Sequence, residues 1–134
     1  MVARVALAVD DRLDPTVLVV DDSPTVRKVV QMTLRKERIR VITASDGVSG
    51  LTLVADEMPA MVLLDIQLPH MDGYRICQII RKNLQFRQIP IIMLSGKDGL
   101  FDKMRGRLAG STGYLTKPLD SVELVQTVKR HLAQ

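Results

Sequence analysis

Short apolar runs alternate along this chain with segments in which apolar residues recur at helical spacing. From Thr16 onward the runs are TVLVVDD, RVITAS, AMVLLDI, IIMLSG and GYL. After each run, apolar residues fall three or four positions apart, as on one face of a helix. The pattern predicts five strands that alternate with five helices.

Residues that start helices support this alternation. Ser23-Pro24 supplies an N-cap and a first-turn proline, Asp46 can cap the second helix, and Asp120 with Glu123 forms a capping-box pattern. The fourth helix, Gly99 to Gly110, is the weakest prediction because glycine disfavours helix. Apolar runs without polar interruption fit strands buried on both faces. The fold class predicted is doubly wound α/β, but periodicity does not give the strand order.

Length and composition fit one domain. The chain has 134 residues, of which 46% are hydrophobic. We predict a domain over residues 16–134, with residues 1–15 as an N-terminal extension or linker before the Asp14-Pro15 boundary. A single cysteine, Cys77, excludes an internal disulfide framework and fits a reducing compartment. The apolar run Val2 to Val9 is too short to span a bilayer, so a cytoplasmic protein without membrane insertion is expected.

The net charge of +4 does not by itself indicate a nucleic-acid partner. Lys and Arg are scattered along the predicted helices among acidic residues, and no basic run alternates with aromatics. We therefore expect no nucleic-acid binding.

Acidic residues stand at the ends of two predicted strands. Asp21 and Asp22 end the first strand, and Asp65 ends the third. Asp22 could instead cap a helix, although Ser23 and Pro24 already serve that purpose. If the two strands are neighbours, three carboxylates gather at one edge of the sheet, where open α/β sheets bind ligands. Such a cluster requires a cation, and oxygen ligands suit Mg²⁺ or Mn²⁺.

Two further strand ends suggest phosphoryl chemistry. Ser95 ends the fourth strand and Lys117 follows the fifth. A hydroxyl, a lysine and a divalent ion together suit a phosphoryl group with its three oxygens. The first strand leads into DDSPTVRK rather than a glycine-rich nucleotide loop, so ATP binding is not expected. Asp65 is the candidate nucleophile, because carboxylates form aspartyl phosphates.

The segments VLVVDDSPTVRK, VLLDIQLPHMDGY, IIMLSGKD and GYLTKP resemble the motifs of response-regulator receiver domains of two-component signalling. The resemblance covers about residues 16–133. It implies a flavodoxin-like (βα)5 fold whose five-stranded parallel sheet has the order 2-1-3-4-5.

The resemblance also implies a role for each candidate residue. Asp65 resembles the phosphorylation site. Asp22, Asp65 and the backbone carbonyl of Gln67 look like direct Mg²⁺ ligands, and Asp21 resembles an acid that holds the metal through water. Lys117 is similar to the lysine that pairs with phosphoryl oxygens, and its bond to Pro118 is expected to be cis. Ser95 and Tyr114 resemble the switch residues.

The implied function is a non-enzymatic switch. A histidine kinase or phosphotransfer protein would supply the phosphoryl group, and the fourth helix, fifth strand and fifth helix would bind a downstream protein effector. KDGLFDKMRGRLAGSTGYLTKP and LPHMDGYRICQIIRKN further resemble single-domain, chemotaxis-like regulators of type IV pilus twitching motility. Related sequences also occur as receiver modules within longer signalling proteins.

Two other hypotheses compete with a receiver domain switched by phosphorylation. A phosphatase of the haloacid-dehalogenase type also uses an aspartate nucleophile with Mg²⁺, but it requires DxDxT after the first strand, and here Asp21 is followed by Asp22 and Ser23. A non-switching interaction module of the same fold would not need the full set of site residues.

Overall fold

In the part of the chain that the structure describes, five strands and five helices alternate, as predicted. The computed structural model describes residues 14–96 and 100–133. The prediction of an extension or linker over residues 1–15 lies almost entirely outside the described residues and stays a prediction. The elements are β1 (Thr16–Val20), α1 (Pro24–Arg35), β2 (Arg40–Ala44), α2 (Gly47–Glu57), β3 (Met61–Asp65), α3 (Gly73–Lys82), β4 (Ile91–Ser95), α4 (Leu100–Ala109), β5 (Gly113–Thr116) and α5 (Ser121–Leu132).

The strands form one parallel sheet in the order β2-β1-β3-β4-β5. This flavodoxin-like order confirms the one implied by the resemblance. It makes β1 and β3 neighbours, with Val20 opposite Leu64. Their carboxyl ends therefore lie side by side at the same edge of the sheet, which is the arrangement that the acidic cluster requires.

Helices cover both faces of the sheet, so alternate residues of each strand enter different apolar clusters. Leu18 and Val20 pack with residues of α2, α3 and α4, whereas Val17 and Val19 pack with residues of α1 and α5. All five residues of β3 and all five of β4 are buried. Burial on both faces explains why these strands read as unbroken apolar runs.

Side chains that accept backbone N–H groups begin four of the helices. Ser23 Oγ accepts from the Val26 N–H at 3.2 Å, and a carboxylate oxygen of Asp46 accepts from Ser49 at 2.8 Å. Asp120 accepts from Glu123 at 2.9 Å. Asp72 caps α3 in the same way, a role that the sequence analysis did not assign. Within residues 14–96 and 100–133, none of the helices combines the length and apolar content needed to cross a bilayer.

Arg81, near the end of α3, connects that helix to two loops. Its guanidinium donates to the carbonyl oxygen of Gly110 at 2.7 Å, to that of Ile89 at 2.6 Å and to Thr112 Oγ1 at 3.1 Å. Gly110 follows α4 with a φ of 103°, a left-handed conformation that favours glycine. The segment between α4 and β5 is therefore held against α3 by one side chain.

Candidate functional site

The structure brings the three predicted acids together. Asp21 follows β1 directly and Asp65 is the last residue of β3. Carboxylate oxygens of Asp21, Asp22 and Asp65 all lie within 4.8 Å of one another. Asp21 is fully buried and Asp65 is 4% exposed, whereas Asp22 is open to solvent. Because Ser23 caps α1, Asp22 is not needed as the cap.

Local contacts fix the position of Asp21. Its Oδ1 accepts a hydrogen bond from the Ser23 N–H at 2.9 Å, and Arg27 Nη1 donates to its carbonyl oxygen at 2.7 Å. Its Oδ2 is buried and accepts no well-directed hydrogen bond from the described residues. That oxygen instead lies 2.8 Å from Lys117 Nζ. Its negative charge is therefore compensated by a nearby cation rather than by directed donors.

Lys117 bridges the two buried carboxylates. Its Nζ lies 2.8 Å from Asp21 Oδ2 and 3.3 Å from Asp65 Oδ1. Burial lowers the pKa of the Lys117 amine, but the close contact with Asp21 and the charges of both carboxylates outweigh it and raise that pKa above 10.5. The Lys117 N–H also donates to the carbonyl oxygen of Ser95 at 2.6 Å, and the peptide bond from Lys117 to Pro118 is cis, as expected.

The surroundings of Asp65 disfavour the ionised form of its carboxyl group. Burial and the charge of Asp21 raise the pKa of the Asp65 carboxyl above its ordinary value of 3.8, although the Gln67 N–H and Lys117 partly oppose them. Both of these partners meet Oδ1, the Gln67 N–H at 3.1 Å and the Lys117 amine at 3.3 Å. Within the described residues Oδ2 makes no comparable contact.

A cavity of about 290 Å³ opens beside Asp65. Its lining consists of Asp65, Ile66, Gln67, Ser95, Gly96 and Asp102. Ser95 is 3% exposed, and its hydroxyl donates to Asp102 Oδ2 at 3.3 Å. Asp102 was not among the site residues predicted from the sequence. Its position in the first turn of the helix that follows Ser95 is the signal that could have indicated it.

Tyr114 does not line this cavity. It lies on β5 opposite Met93, half-buried, with Lys103 Nζ 5.5 Å from the centre of its ring. Of the predicted site residues, Asp65, Gln67 and Ser95 thus line one cavity, whereas the second predicted switch residue lies apart on the neighbouring strand.

Gly73, the first residue of α3, allows that helix to approach the site closely. A Cβ atom at this position would lie 2.2 Å from the carbonyl oxygen of Asp65. The Gly73 N–H also donates to the carbonyl oxygen of Ile66 at 2.7 Å. Because Gly73 has no side chain, the start of α3 packs directly against the backbone of Asp65 at the end of β3.

The residues present fit a divalent cation with oxygen ligands. Three carboxylates and one ammonium leave two negative charges uncompensated, and one of the buried oxygens, Asp21 Oδ2, has no directed donor among the described residues. Hard cations such as Mg²⁺ and Mn²⁺ take carboxylate, carbonyl and water oxygens as ligands. The acidic cluster is thus a suitable place for such an ion.

A five-stranded sheet of this order, with a buried acid at the end of β3 and a lysine after β5, defines a flavodoxin-like signalling domain of the receiver class. The family model for the response regulator receiver domain matches residues 17–129. The chain therefore belongs to the response regulator receiver domain family.

Individual relatives agree with this assignment. The chain is 47% identical over 116 residues to Protein PilG of Pseudomonas aeruginosa, a match that covers 87% of this chain and 86% of that protein. The chemotaxis response regulator CheY4 of Vibrio cholerae superposes with a TM-score of 0.84 at 31% identity, covering 88% of this chain and 98% of that one. The receiver domain of the Pseudomonas aeruginosa sensor histidine kinase PA1611 gives a TM-score of 0.83 at 29% identity, covering 90% of this chain and 99% of that one. Its structure has a magnesium ion coordinated in the active site cleft.

The predicted fold and family are thus confirmed, and the chain is a receiver domain of two-component signalling with a phosphoacceptor role. Family membership favours this function over the phosphatase alternative. The roles of the individual site residues stay predictions.

Proposed function

We propose that Asp65 accepts a phosphoryl group from a histidine kinase or phosphotransfer protein and that the modified domain controls a protein partner through α4, β5 and α5. One observation supports this assignment above the others. Asp65 is a buried acid whose Oδ1 is held by Lys117 and the Gln67 N–H and which lines the cavity of about 290 Å³.

Transfer would proceed by attack of a carboxylate oxygen of Asp65 on phosphorus. The bond between phosphorus and the nitrogen of the kinase histidine breaks, and the electron pair returns to the imidazole, which takes up a proton. Lys117, already 3.3 Å from Asp65 Oδ1, offers its ammonium to the phosphoryl oxygens. This side chain therefore stabilises charge both before and after transfer.

Asp22, Asp65 and the backbone carbonyl of Gln67 would hold Mg²⁺ or Mn²⁺ directly, with Asp21 holding it through water. The ion supplies positive charge that lets a phosphoryl group approach an acidic cluster. The Ser23 N–H holds the side chain of Asp21, and Arg27 holds its backbone carbonyl. These contacts keep the Asp21 carboxylate in position for the ion.

Phosphorylation would change the charge and the hydrogen-bonding capacity of the cavity. An aspartyl phosphate carries more negative charge than a carboxylate and adds acceptor oxygens, which attract donors such as the Ser95 hydroxyl. Ser95 and Tyr114 are the proposed switch residues. Movement of Ser95 would shift a pre-existing equilibrium in α4, β5 and α5, where the effector binds.

The proposed setting is the cytoplasm, in a pathway of pilus motility or chemotaxis, with the protein acting as a switch rather than as an enzyme and without nucleic acid as its partner. The identity to PilG and the likeness to CheY4 support this setting. The likeness to the PA1611 receiver domain also supports an alternative, in which the same fold serves as a module of a longer signalling protein.

The test is phosphorylation by a small donor. Wild type incubated with phosphoramidate and MgCl₂ should gain the mass of one phosphoryl group in intact-mass spectrometry, and EDTA should prevent the gain. Asp65→Asn should gain nothing. Asp56→Asn, which alters an exposed acid on α2, is the matched control and should behave as wild type. Equal phosphorylation of the Asp65 variant and wild type would overturn the proposal.

A further inference from the structure

Asp102 joins three parts of the domain through one carboxylate. It lies in the first turn of α4. Its Oδ2 accepts a hydrogen bond from the Ser95 hydroxyl at 3.3 Å, and its Oδ1 accepts one from the Tyr74 hydroxyl at 3.3 Å. Ser95 ends β4 and Tyr74 lies in the first turn of α3. The carboxylate therefore connects the start of α4 both to the candidate switch residue and to a neighbouring helix.

The Tyr74 hydroxyl is shared between two acceptor atoms of Asp102. Tyr74 is 5% exposed, and its hydroxyl lies within 3.5 Å of both a carboxylate oxygen and the carbonyl oxygen of Asp102. The Arg105 guanidinium covers its ring at 4.3 Å. Burial and the charge of Asp102 raise the pKa of Tyr74 to about 12, so its hydroxyl remains a donor throughout the neutral range.

Asp102 also faces the reaction site, because it lines the same cavity of about 290 Å³ as Asp65 and Ser95. A phosphoryl group on Asp65 would enter the space that the Asp102 carboxylate borders. The two groups are both negative, and both accept hydrogen bonds. They therefore compete for the Ser95 proton and repel each other.

We propose that Asp102 is a positioning residue that holds the domain in its resting arrangement: its carboxylate retains the Ser95 hydroxyl and tethers the first turn of α4 to α3. This inference rests on the proposed function of Asp65. Phosphorylation releases the tether in two ways. The Ser95 hydroxyl has a single proton and can donate to only one acceptor at a time, so its turn toward the phosphoryl group removes one contact. The added negative charge drives the Asp102 carboxylate away from the cavity.

Asp102 therefore sets the ratio of resting to activated domain. A ligand shifts such an equilibrium only through its differential affinity for the two states. If the tether is weakened, less of the binding free energy of a phosphoryl analogue is needed to reorganise α4, and the apparent affinity for the analogue rises.

The experiment is a titration with beryllofluoride in the presence of MgCl₂, followed by ¹H–¹⁵N NMR of the full chain. Asp102→Asn keeps the shape of the side chain but removes its charge and one of its two acceptor oxygens. Tyr74→Phe removes the other hydroxyl partner without changing charge. We expect both variants to bind beryllofluoride at least about fivefold more tightly than wild type, the lower end of coupling between sites. Asp56→Asn removes a distant helical charge and should match wild type.

A second readout needs no ligand. The amide resonances of α4 in Asp102→Asn should lie displaced from the wild-type positions toward those of the beryllofluoride complex. Binding by Asp102→Asn within twofold of wild type, or more weakly, would overturn the inference, and so would unchanged binding by Tyr74→Phe. If wild type itself fails to bind beryllofluoride, the proposed function of Asp65 fails instead, and with it the premise of the tether. Thermal melting of each variant checks that it is folded.

Discussion

Replacing Asp65 with Asn should stabilise the fold, even though it removes the proposed phosphorylation site. Burial and the charge of Asp21 both disfavour the ionised carboxylate of Asp65. Asn has nearly the same shape, keeps an acceptor for the Gln67 N–H and leaves Lys117 paired with Asp21 at 2.8 Å. The substitution thus removes a disfavoured charge and keeps most of the local contacts.

The size of the stability gain depends on charge interactions of Asp65 that act in opposite directions. With an effective dielectric constant near 20, a carboxylate oxygen within 4.8 Å of another repels it by at least about 3.5 kcal/mol, and an ammonium at 3.3 Å attracts it by about 5 kcal/mol. These two contributions leave a net attraction of at most about 1.5 kcal/mol. The cost of burying the Asp65 charge, which can reach several kcal/mol per ion, is larger and decides the sign. We expect a gain of about 1–2 kcal/mol, or a rise in Tm of about 3–8 °C for a domain of this size.

The assay is thermal unfolding followed by circular dichroism, in EDTA, at several pH values. Because the pKa of Asp65 is raised in the folded state, wild type loses stability as pH rises from 3.8 through that higher pKa. The gain in Asp65→Asn should therefore be complete at pH 8 and absent below pH 3.8. Asp56→Asn should leave Tm nearly unchanged. A Tm for Asp65→Asn equal to or below that of wild type at pH 8 would show that the buried charge of Asp65 does not destabilise the fold.

Three further predictions test neighbouring features. MgCl₂ should raise the Tm of wild type. Asp22→Asn should weaken Mg²⁺ binding, measured by calorimetry, by about tenfold or more. An unchanged affinity would show that Asp22 is not a ligand of the metal. Gly73→Ala should lower the free energy of unfolding in urea by about 2–3 kcal/mol, because its Cβ would lie 2.2 Å from a carbonyl oxygen; an unchanged midpoint would contradict this close approach. Between pH 10 and about 12 the folded state keeps the Tyr74 proton that the unfolded state loses, so wild type should lose stability as pH rises through this range, and Tyr74→Phe should reduce that slope.

The fold was predictable because its signals are local and repeated. Unbroken apolar runs indicated buried parallel strands, and β3 and β4 are indeed buried along their whole length. Capping residues such as Ser23 and Asp120 indicated where helices begin. Strand order is a property of packing between distant segments, so periodicity could not supply it, and only the resemblance to receiver domains implied it.

Contacts between distant segments were the main omissions. Arg81 binds carbonyl oxygens, which every residue carries, so no side-chain pattern marks its acceptors. Asp102 is one acidic residue among several on helices, and its importance comes from the position of two hydroxyls that approach it from β4 and α3. The contacts of Arg81 could be identified only once the packing of α3 was known, whereas the sequence offered one signal for Asp102, its position in the first turn of the helix after Ser95.

The most direct test of the account is to locate the phosphoryl group. The protein is treated with phosphoramidate and MgCl₂, the acyl phosphate is reduced with borohydride, and the digest is sequenced by tandem mass spectrometry. We expect the reduced residue to be Asp65 and Asp65→Asn to yield no reduced aspartate. Reduction at Asp21, Asp22 or Asp102 in wild type, with Asp65 unmodified, would contradict it.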